Sequence, residues 1–369
     1  MSPTGANPLN APASDPCDLP DDPSELLELA EERCLRASAP LEFSTFKLGV
    51  KGPKSWLELP EAEVRAWKKE FKRTLGGRLE ALWEDREVDF RRPDLRLIFD
   101  IQRGRVQRKV TPLYLYGRYR KLSRDLPQTD ARWKHEPCAG KGCEGCADTG
   151  RRYPVSLADL IGAPALERAE ARDYALHGAG REDVDVRCLG EGRPFVLELS
   201  EPRRRTLDLE ALAAEVAAGS EGRVEVEGLV RTRKETIGRI KEAGCDKRYR
   251  ARCRVEGSLD SRRVGELSDA LSGAELAQDT PGRVSHRRAS VTRSRQVREL
   301  AVVEQGPGEL VLEIEAESGT YIKELISGDE GRTRPSVSGL LGVPTRCVEL
   351  DVLAIRFSDV EALTKAPKA

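Results

Sequence analysis

The sequence predicts an α+β protein whose larger part is a mixed or antiparallel sheet, preceded by a smaller accessory domain. Two observations carry this. Beyond residue 153, strand-like stretches outnumber the helical ones that would cover them. A polar break at Asp125-Leu126-Pro127-Gln128-Thr129, followed by a cysteine cluster, divides a chain of 369 residues, a length that suits two domains or three.

The elements follow in order. Residues 1–22 are rich in Pro, Ala, Asn and Asp and read as a disordered tail. Leu26, Leu27, Leu29 and Ala30 begin a helix behind Ser24. A short strand runs from Phe43 to Val50 and ends at Gly52-Pro53. Residues 61–83 form a helix, because Val64, Trp67, Phe71, Leu75, Leu79 and Leu82 recur at spacings of three and four. Gly76-Gly77 is a candidate kink, and Lys68, Lys69, Lys72 and Arg73 mark the polar side. Leu95, Leu97 and Phe99 alternate in a strand over residues 94–99, and residues 105–119 continue as strand or turn. The accessory domain, residues 23–130, ends near the polar break; residues 131–152 form a hinge and residues 153–369 the larger domain. Within that domain helices are expected over 156–177 and 207–218. Strands are expected over 184–188, 194–199, 223–230, 249–256, 297–304, 310–316 and 348–356. No internal repeat and no glycine-rich phosphate loop before a helix is evident.

Composition narrows the function. Lys and Arg number 62 and Asp and Glu 63, yet the charge is locally uneven. Residues 247–254 read Lys-Arg-Tyr-Arg-Ala-Arg-Cys-Arg, and Arg283, Arg287, Arg288, Arg293, Arg295 and Arg298 follow. Such clusters suit an RNA-binding face, although a solvated charged surface would read the same way. No apolar run approaches the roughly 20 residues that span a membrane, and the N-terminus lacks a secretory signal. Nine irregularly spaced cysteines do not make a secreted disulfide framework, so the cytoplasm is expected. Three histidines leave little room for a histidine-based zinc hydrolase.

His135, Cys138, Cys143 and Cys146 follow the pattern H-x2-C-x4-C-x2-C, with Gly140, Gly142 and Gly145 permitting tight turns. Three thiolates and one imidazole suit a tetrahedral structural zinc with no open position, a staple for the hinge. Free thiols in a loop are the alternative. Cys188, Cys245, Cys253 and Cys347 lie in or beside strand-like stretches and read as packed thiols.

Three segments carry chemistry. Asp183 stands at a strand entrance after His177-Gly178-Ala179-Gly180, with Asp185 on the same side and Arg181 and Arg187 able to pair with either. Tyr249 shares a strand face with Lys247, Ala251, Cys253 and Val255. Arg248, Arg250, Arg252 and Arg254 occupy the other face, open to phosphate. Lys323 falls in the first turn of a helix capped by Ser318 or Thr320, a position the helix dipole disfavours for a cation unless an anion sits nearby.

These segments resemble the catalytic motifs of RNA pseudouridine synthases. The chain past its tail is more closely similar to archaeal tRNA pseudouridine synthases of the Pus-ten family. The resemblance includes Lys69-Glu70-Phe71-Lys72-Arg73, Gly117-Arg118-Tyr119, Leu126-Pro127-Gln128-Thr129, Gly192-Arg193-Pro194-Phe195, residues 280–288, and Gly331-Arg332-Thr333-Arg334-Pro335. It implies the mixed pseudouridine synthase fold with a THUMP-like RNA-binding accessory domain and a zinc knuckle. It also implies uridine isomerisation in tRNA at T-arm positions 54 and/or 55, with no organic cofactor or catalytic metal, by a protein expected to be monomeric. Asp183 would be the catalytic aspartate of the Gly-Arg-x-Asp motif, Tyr249 the tyrosine against the target base, and Lys323 the cation paired with the aspartate. Asp183 would attack sugar or base, or take a sugar proton. Arg181, Arg248, Arg250, Arg252, Arg254, Arg283, Arg287 and Arg288 would contact RNA. Two departures stand out: Glu31 replaces the first cysteine of a second Cys-x2-Cys ending at Cys34, and His135 replaces a first cysteine in the knuckle. A non-catalytic RNA-binding or RNA-chaperone protein is the rival reading.

Overall fold

A computed structural model describes residues 22–129, 134–284 and 289–356. The tail expected over residues 1–22 thus falls almost wholly outside it. The chain divides into two compact units, Met1–Pro112 with Ser200–Thr206, and Leu113–Leu199 with Leu207–Ala369.

The first unit contains helices α1 (Pro23–Ser38) and α2 (Glu61–Leu82) and strands β1 (Thr45–Lys51), β2 (Glu87–Val88), β3 (Leu95–Asp100) and β4 (Arg105–Val110). Their sheet order is β2-β1-β3-β4, with β1 parallel to both β2 and β3. The apolar stripe of α2 buries Phe71, Leu75 and Leu79 against Phe46, Leu97 and Phe99 of the sheet. Gly76 and Gly77 lie inside α2 without ending it. Cys34 is 1 % exposed in this core, where burial, aided by Glu31, raises its thiol pKa to about 12. Cys34 is thus a packed thiol, and among the described residues it belongs to no cluster able to hold a metal.

The second unit holds β5 (Leu113–Lys121), α3 (Leu157–Ala169), β6 (Asp173–Gly178), β7 (Val186–Ser200), α4 (Leu209–Gly219), β8 (Val224–Thr232), α5 (Glu235–Glu242) and β9 (Lys247–Val255). It continues with α6 (Ser261–Leu271), β10 (Glu275–Gln278), β11 (Arg293–Gly306), β12 (Glu309–Ala316), α7 (Ile322–Ser327), β13 (Thr333–Arg334), α8 (Val337–Leu341) and β14 (Thr345–Ile355). Ten strands make one mixed sheet in the order β13-β10-β11-β12-β9-β14-β7-β5-β8, with β6 beside β7. The α+β class with a large mixed sheet is therefore correct.

Several boundaries moved, each for a local reason. β5 pairs with β7 and β8, so the first unit ends at Pro112 and not near residue 130. The helix expected over 156–177 stops at Ala169, because Glu170 takes a left-handed φ of 45° and caps it, and β6 follows. The strands expected over 184–188 and 194–199 are one strand, β7, whose pairing with β5 shifts register around Gly190 and Gly192, where φ is 55° and 73°. A side chain at Gly190 would lie 2.0 Å from the Leu353 carbonyl oxygen, so only glycine fits that close approach. β14 lies at the centre of the sheet, parallel to β7 and antiparallel to β9.

Candidate active site

The loop bearing Asp183 is fixed by buried polar groups beneath it. Arg193 Nη1 donates to the Ala179 carbonyl at 2.7 Å, and Gln128 Nε2 to the Gly180 carbonyl at 3.1 Å. Lys121 Nζ spends its three N–H bonds on the carbonyls of Leu126 (2.8 Å), Asp183 (3.1 Å) and Val184 (2.7 Å). Glu182 points inward, 2.8 Å from Arg193 Nε, and accepts from the Tyr119 hydroxyl at 2.9 Å. Burial opposes the charge on Arg193, but Glu182 together with Tyr119, Cys188 and Tyr249 outweighs it and raises the pKa. Burial and then Glu182 push the Tyr119 hydroxyl well above its ordinary value. Tyr119, Gln128 and Arg193 come from three of the segments that carry the sequence resemblance. Their positions there gave no hint of a shared role, since each is an ordinary polar residue until the sheet brings them together.

Asp183 and Asp185 do not alternate along a strand as expected. Val184 and Asp185 form a turn, closed by the Val186 N–H on the Asp183 carbonyl at 3.1 Å, and β7 begins only at Val186. The turn still delivers both carboxylates to one lysine. Lys323 Nζ is 3.5 Å from Asp183 Oδ2 and 2.8 Å from Asp185 Oδ2. Burial works against ionisation of Asp185, yet the hydrogen bond and charge of Lys323 prevail and lower its pKa. The anions that offset Lys323 in the first turn of α7 are thus these two carboxylates.

Arg283 makes the shorter contact with Asp183. Its Nη1 donates to Asp183 Oδ2 at 3.0 Å while its Nε donates to Glu324 Oε1 at 2.6 Å. Glu324 is 4 % exposed, so Arg283 bridges a buried carboxylate and the one at the cavity mouth. Burial acts against its charge, and Glu324 followed by Asp183 raises the pKa above the ordinary arginine value. Sequence reasoning placed Arg283 among RNA contacts and missed this bridge, because Glu324 lies in a helix 41 residues away.

Neither Ser318 nor Thr320 caps α7. Gln278, buried at the end of β10, replaces them: its Oε1 accepts the Tyr321 N–H and its Nε2 donates to the Tyr321 carbonyl, both at 3.0 Å.

β9 alternates without exception, Lys247, Tyr249, Ala251, Cys253 and Val255 buried and the arginines between them exposed. Tyr249 is 9 % exposed on the cavity wall, and burial raises its hydroxyl pKa to about 12. It therefore stays a neutral phenol near neutral pH. The cavity, about 340 Å³, is lined by Asp183, Arg193, Lys247, Tyr249, Arg283 and Lys323 among others. Arg181 is exposed and also lines it. Arg248, Arg250, Arg252 and Arg254 lie on the opposite face, where Glu313 pairs with Arg248 and Arg250, and Glu309 and Glu349 stand 3.9 Å from Arg252. Arg287 and Arg288 lie outside the described residues.

The knuckle donors converge. His135 Nδ1 is 3.4 Å from Cys138 Sγ and 3.5 Å from Cys143 Sγ, and Cys146 Sγ is 3.9 Å and 3.8 Å from those two sulfurs. A tetrahedral zinc with ordinary bond lengths sets S···S near ~3.8 Å and N···S near ~3.6 Å, so the set fits that metal. Backbone N–H groups of Cys143 and Gly150 donate to Cys146 Sγ, each at 3.3 Å, as a thiolate ligand requires. The knuckle sits between β5 and α3, inside the second unit and not at its border.

Comparison with known proteins agrees with the resemblance. The family described as "Pus10, C-terminal" matches residues 114–356. A tRNA pseudouridine synthase Pus10 of Halorubrum lacusprofundi is 41 % identical over 346 residues, 89 % of this chain and 80 % of that protein. Its counterpart in Archaeoglobus fulgidus is 40 % identical over 331 residues, 89 % and 91 % of the two chains. That of Methanothermobacter marburgensis is 42 % identical over 326 residues, 85 % and 79 %. Among solved structures, a Cbf5-Nop10-Gar1 complex overlaps 54 % of this chain and 45 % of that one at TM-score 0.34 and 17 % identity, too partial an overlap to weigh. The chain belongs to the Pus10 family.

Proposed function

We propose that this protein isomerises uridine to pseudouridine in tRNA, at T-arm positions 54 and/or 55, with Asp183 as the catalytic carboxylate. The observation that carries the reading is the placement of Asp183 at the mouth of the cavity, with Arg283 at 3.0 Å and Lys323 at 3.5 Å, above the buried Tyr249. The two cations hold the Asp183 carboxylate in place at the mouth, where it can attack or accept a proton. The target uridine leaves the stack to enter the cavity, because its C1′ and C5 are otherwise out of reach. Tyr249, neutral and rigidly held, offers a flat wall against which the uracil turns after its bond to C1′ breaks. The ring then rejoins through C5, with no external nucleophile. Arg181 and Arg283 meet RNA at the cavity mouth, and the first unit serves as the THUMP-like accessory RNA-binding domain. Arg248, Arg250, Arg252 and Arg254 contribute only where RNA reaches the opposite sheet face. The knuckle binds one structural zinc, held by His135, Cys138, Cys143 and Cys146.

Site mapping of pseudouridine in an unmodified tRNA transcript, with the parent protein and with Asp183→Asn, tests the proposal. T-arm product from the parent alone is the expected result. Binding without product from the parent would favour the RNA-chaperone reading, and product from both would remove Asp183 from its role.

A further inference from the structure

Among the described residues two lysines of the second unit are buried, and they are satisfied differently. Lys121 matches all three N–H bonds to carbonyl oxygens. Lys247 has two acceptors among the described residues, the Cys245 carbonyl and the Ser318 hydroxyl, both at 3.0 Å. Both are neutral, and among the described residues no carboxylate lies within ion-pair distance of this ammonium, although Asp246 acts on it from further away. Lys247 is nonetheless 9 % exposed and lines the cavity beside Tyr249, two residues along the same strand face. Gly180 keeps the space above it open. A side chain there would approach Arg193 Nη1 to 3.2 Å and Lys247 Cε to 3.9 Å, on a backbone whose φ is already +83°.

A buried cation with a spare donor and no counter-ion is costly to keep unless an anion arrives. Burial first, then the charge of Arg193, lowers its pKa from 10.5 to about 8. The titratable groups around it are Arg193 and Glu182 on the β7 side and Cys245, Asp246 and Tyr249 on its own strand and its approach. Asp183, Arg283 and Lys323 stand across the cavity; the Ser318 turn offers a hydroxyl.

We infer that Lys247 is a further catalytic residue, whose remaining N–H receives the negative charge that develops on the uracil ring when it separates from the sugar. The inference rests on the pseudouridine synthase reading. When the N1–C1′ bond breaks, its electron pair stays with the ring, spread over N1, O2 and O4. C5 then forms its bond to C1′. The proton lost from C5 is balanced by the one gained at N1, through Asp183 or solvent, so the product is an isomer. A donor fixed where charge appears only during reaction acts on the rate and not on ground-state binding. A phosphate could also answer a lysine, but phosphates would meet the cations at the mouth, Arg181 and the half-exposed Arg283, before this one.

The test uses the full chain and an unmodified tRNA transcript, with single-turnover rate constants and tRNA Kd measured for the parent, Lys247→Met and Lys247→Arg. The methionine variant should fall about 100-fold or more in rate, the loss typical of removing one such donor, with Kd within about threefold. The arginine variant, which keeps the charge, should recover part of that rate. A methionine variant within about threefold of the parent in rate overturns the inference. So does a loss confined to Kd with a shallower salt dependence, which would assign Lys247 to phosphate. Equal losses in both variants with matching drops in Tm would make it a strut between Cys245 and Ser318. No product from the parent overturns the underlying reading as well, and is told apart by that control.

Discussion

At the scale of single residues, the site is a set of charges whose company decides their behaviour. Lys247 illustrates the sign. Its pKa, lowered from 10.5 to about 8, means that the unfolded chain holds the proton more tightly than the folded one. The buried charge therefore destabilises the fold at neutral pH, and the penalty fades as pH rises from about 8 toward 10.5. A shift of that size corresponds to roughly 3 kcal/mol, offset by about 1 kcal/mol for each of the two hydrogen bonds it makes. Lys247→Met should accordingly unfold at higher urea than the parent at pH 7, by a net of about 1 kcal/mol. That margin should shrink as pH is raised through the same window. Urea titrations at pH 7 and 10 would read both, and a less stable methionine variant at pH 7 would contradict the unpaired-charge account. The sequence made Asp183, Tyr249 and Lys323 candidates through their motifs, and all three line one cavity. It hid Lys247, Arg283 and Glu324, because whether a charged side chain is buried, and beside what, depends on segments far away in the chain.

At the scale of elements, β9 and the loop before β7 show what was readable and what was not. The alternation of β9 is written directly in Lys-Arg-Tyr-Arg-Ala-Arg-Cys-Arg, since period two leaves one face to each set. The turn at Val184 and Asp185 was not readable, because Val-Asp-Val satisfies a strand pattern equally well. What bends it is Lys121 gathering the carbonyls of Asp183 and Val184 from below. Glu182→Gln should leave Arg193 buried without its counter-charge and cost roughly 3–5 kcal/mol. Chemical denaturation measures that cost, and turnover should fall with it while tRNA Kd changes little, since the support of Asp183 is what weakens. At the knuckle, Cys143→Ser should reduce bound zinc from about one equivalent to well below it by elemental analysis. Added protease should then cut within residues 134–151 sooner than in the parent.

At the scale of the whole molecule, the family and the α+β class were legible, and the unit boundary was not. Residues 113–121 look like a continuation of the strands before them; only their pairing with β7 and β8 assigns them to the larger sheet. Charge distribution also acts at this scale. Arg248, Arg250 and Arg252 have glutamates beside them on the face away from the cavity. Changing Arg248, Arg250, Arg252 and Arg254 together to Gln should therefore weaken tRNA binding less than Arg181→Gln does, with a smaller change in salt dependence per charge removed. Kd measured at several salt concentrations would check it, and the reverse order would place the RNA on the arginine face. Among the described residues, no helix is long and apolar enough to cross a membrane.

The central position of β14 has a consequence for how the protein comes into being. This strand joins β9 to β7, and with them the half of the sheet bearing Tyr249 to the half that leads from Asp183. Among the described residues it is also the last strand along the chain. A chain without Thr345–Ile355 would have nothing between β9 and β7 and would lack Leu350 and Val352 of the cavity wall. The cavity wall can therefore be completed only once the strand in the middle of the sheet has been threaded between its neighbours, however early the other walls are made.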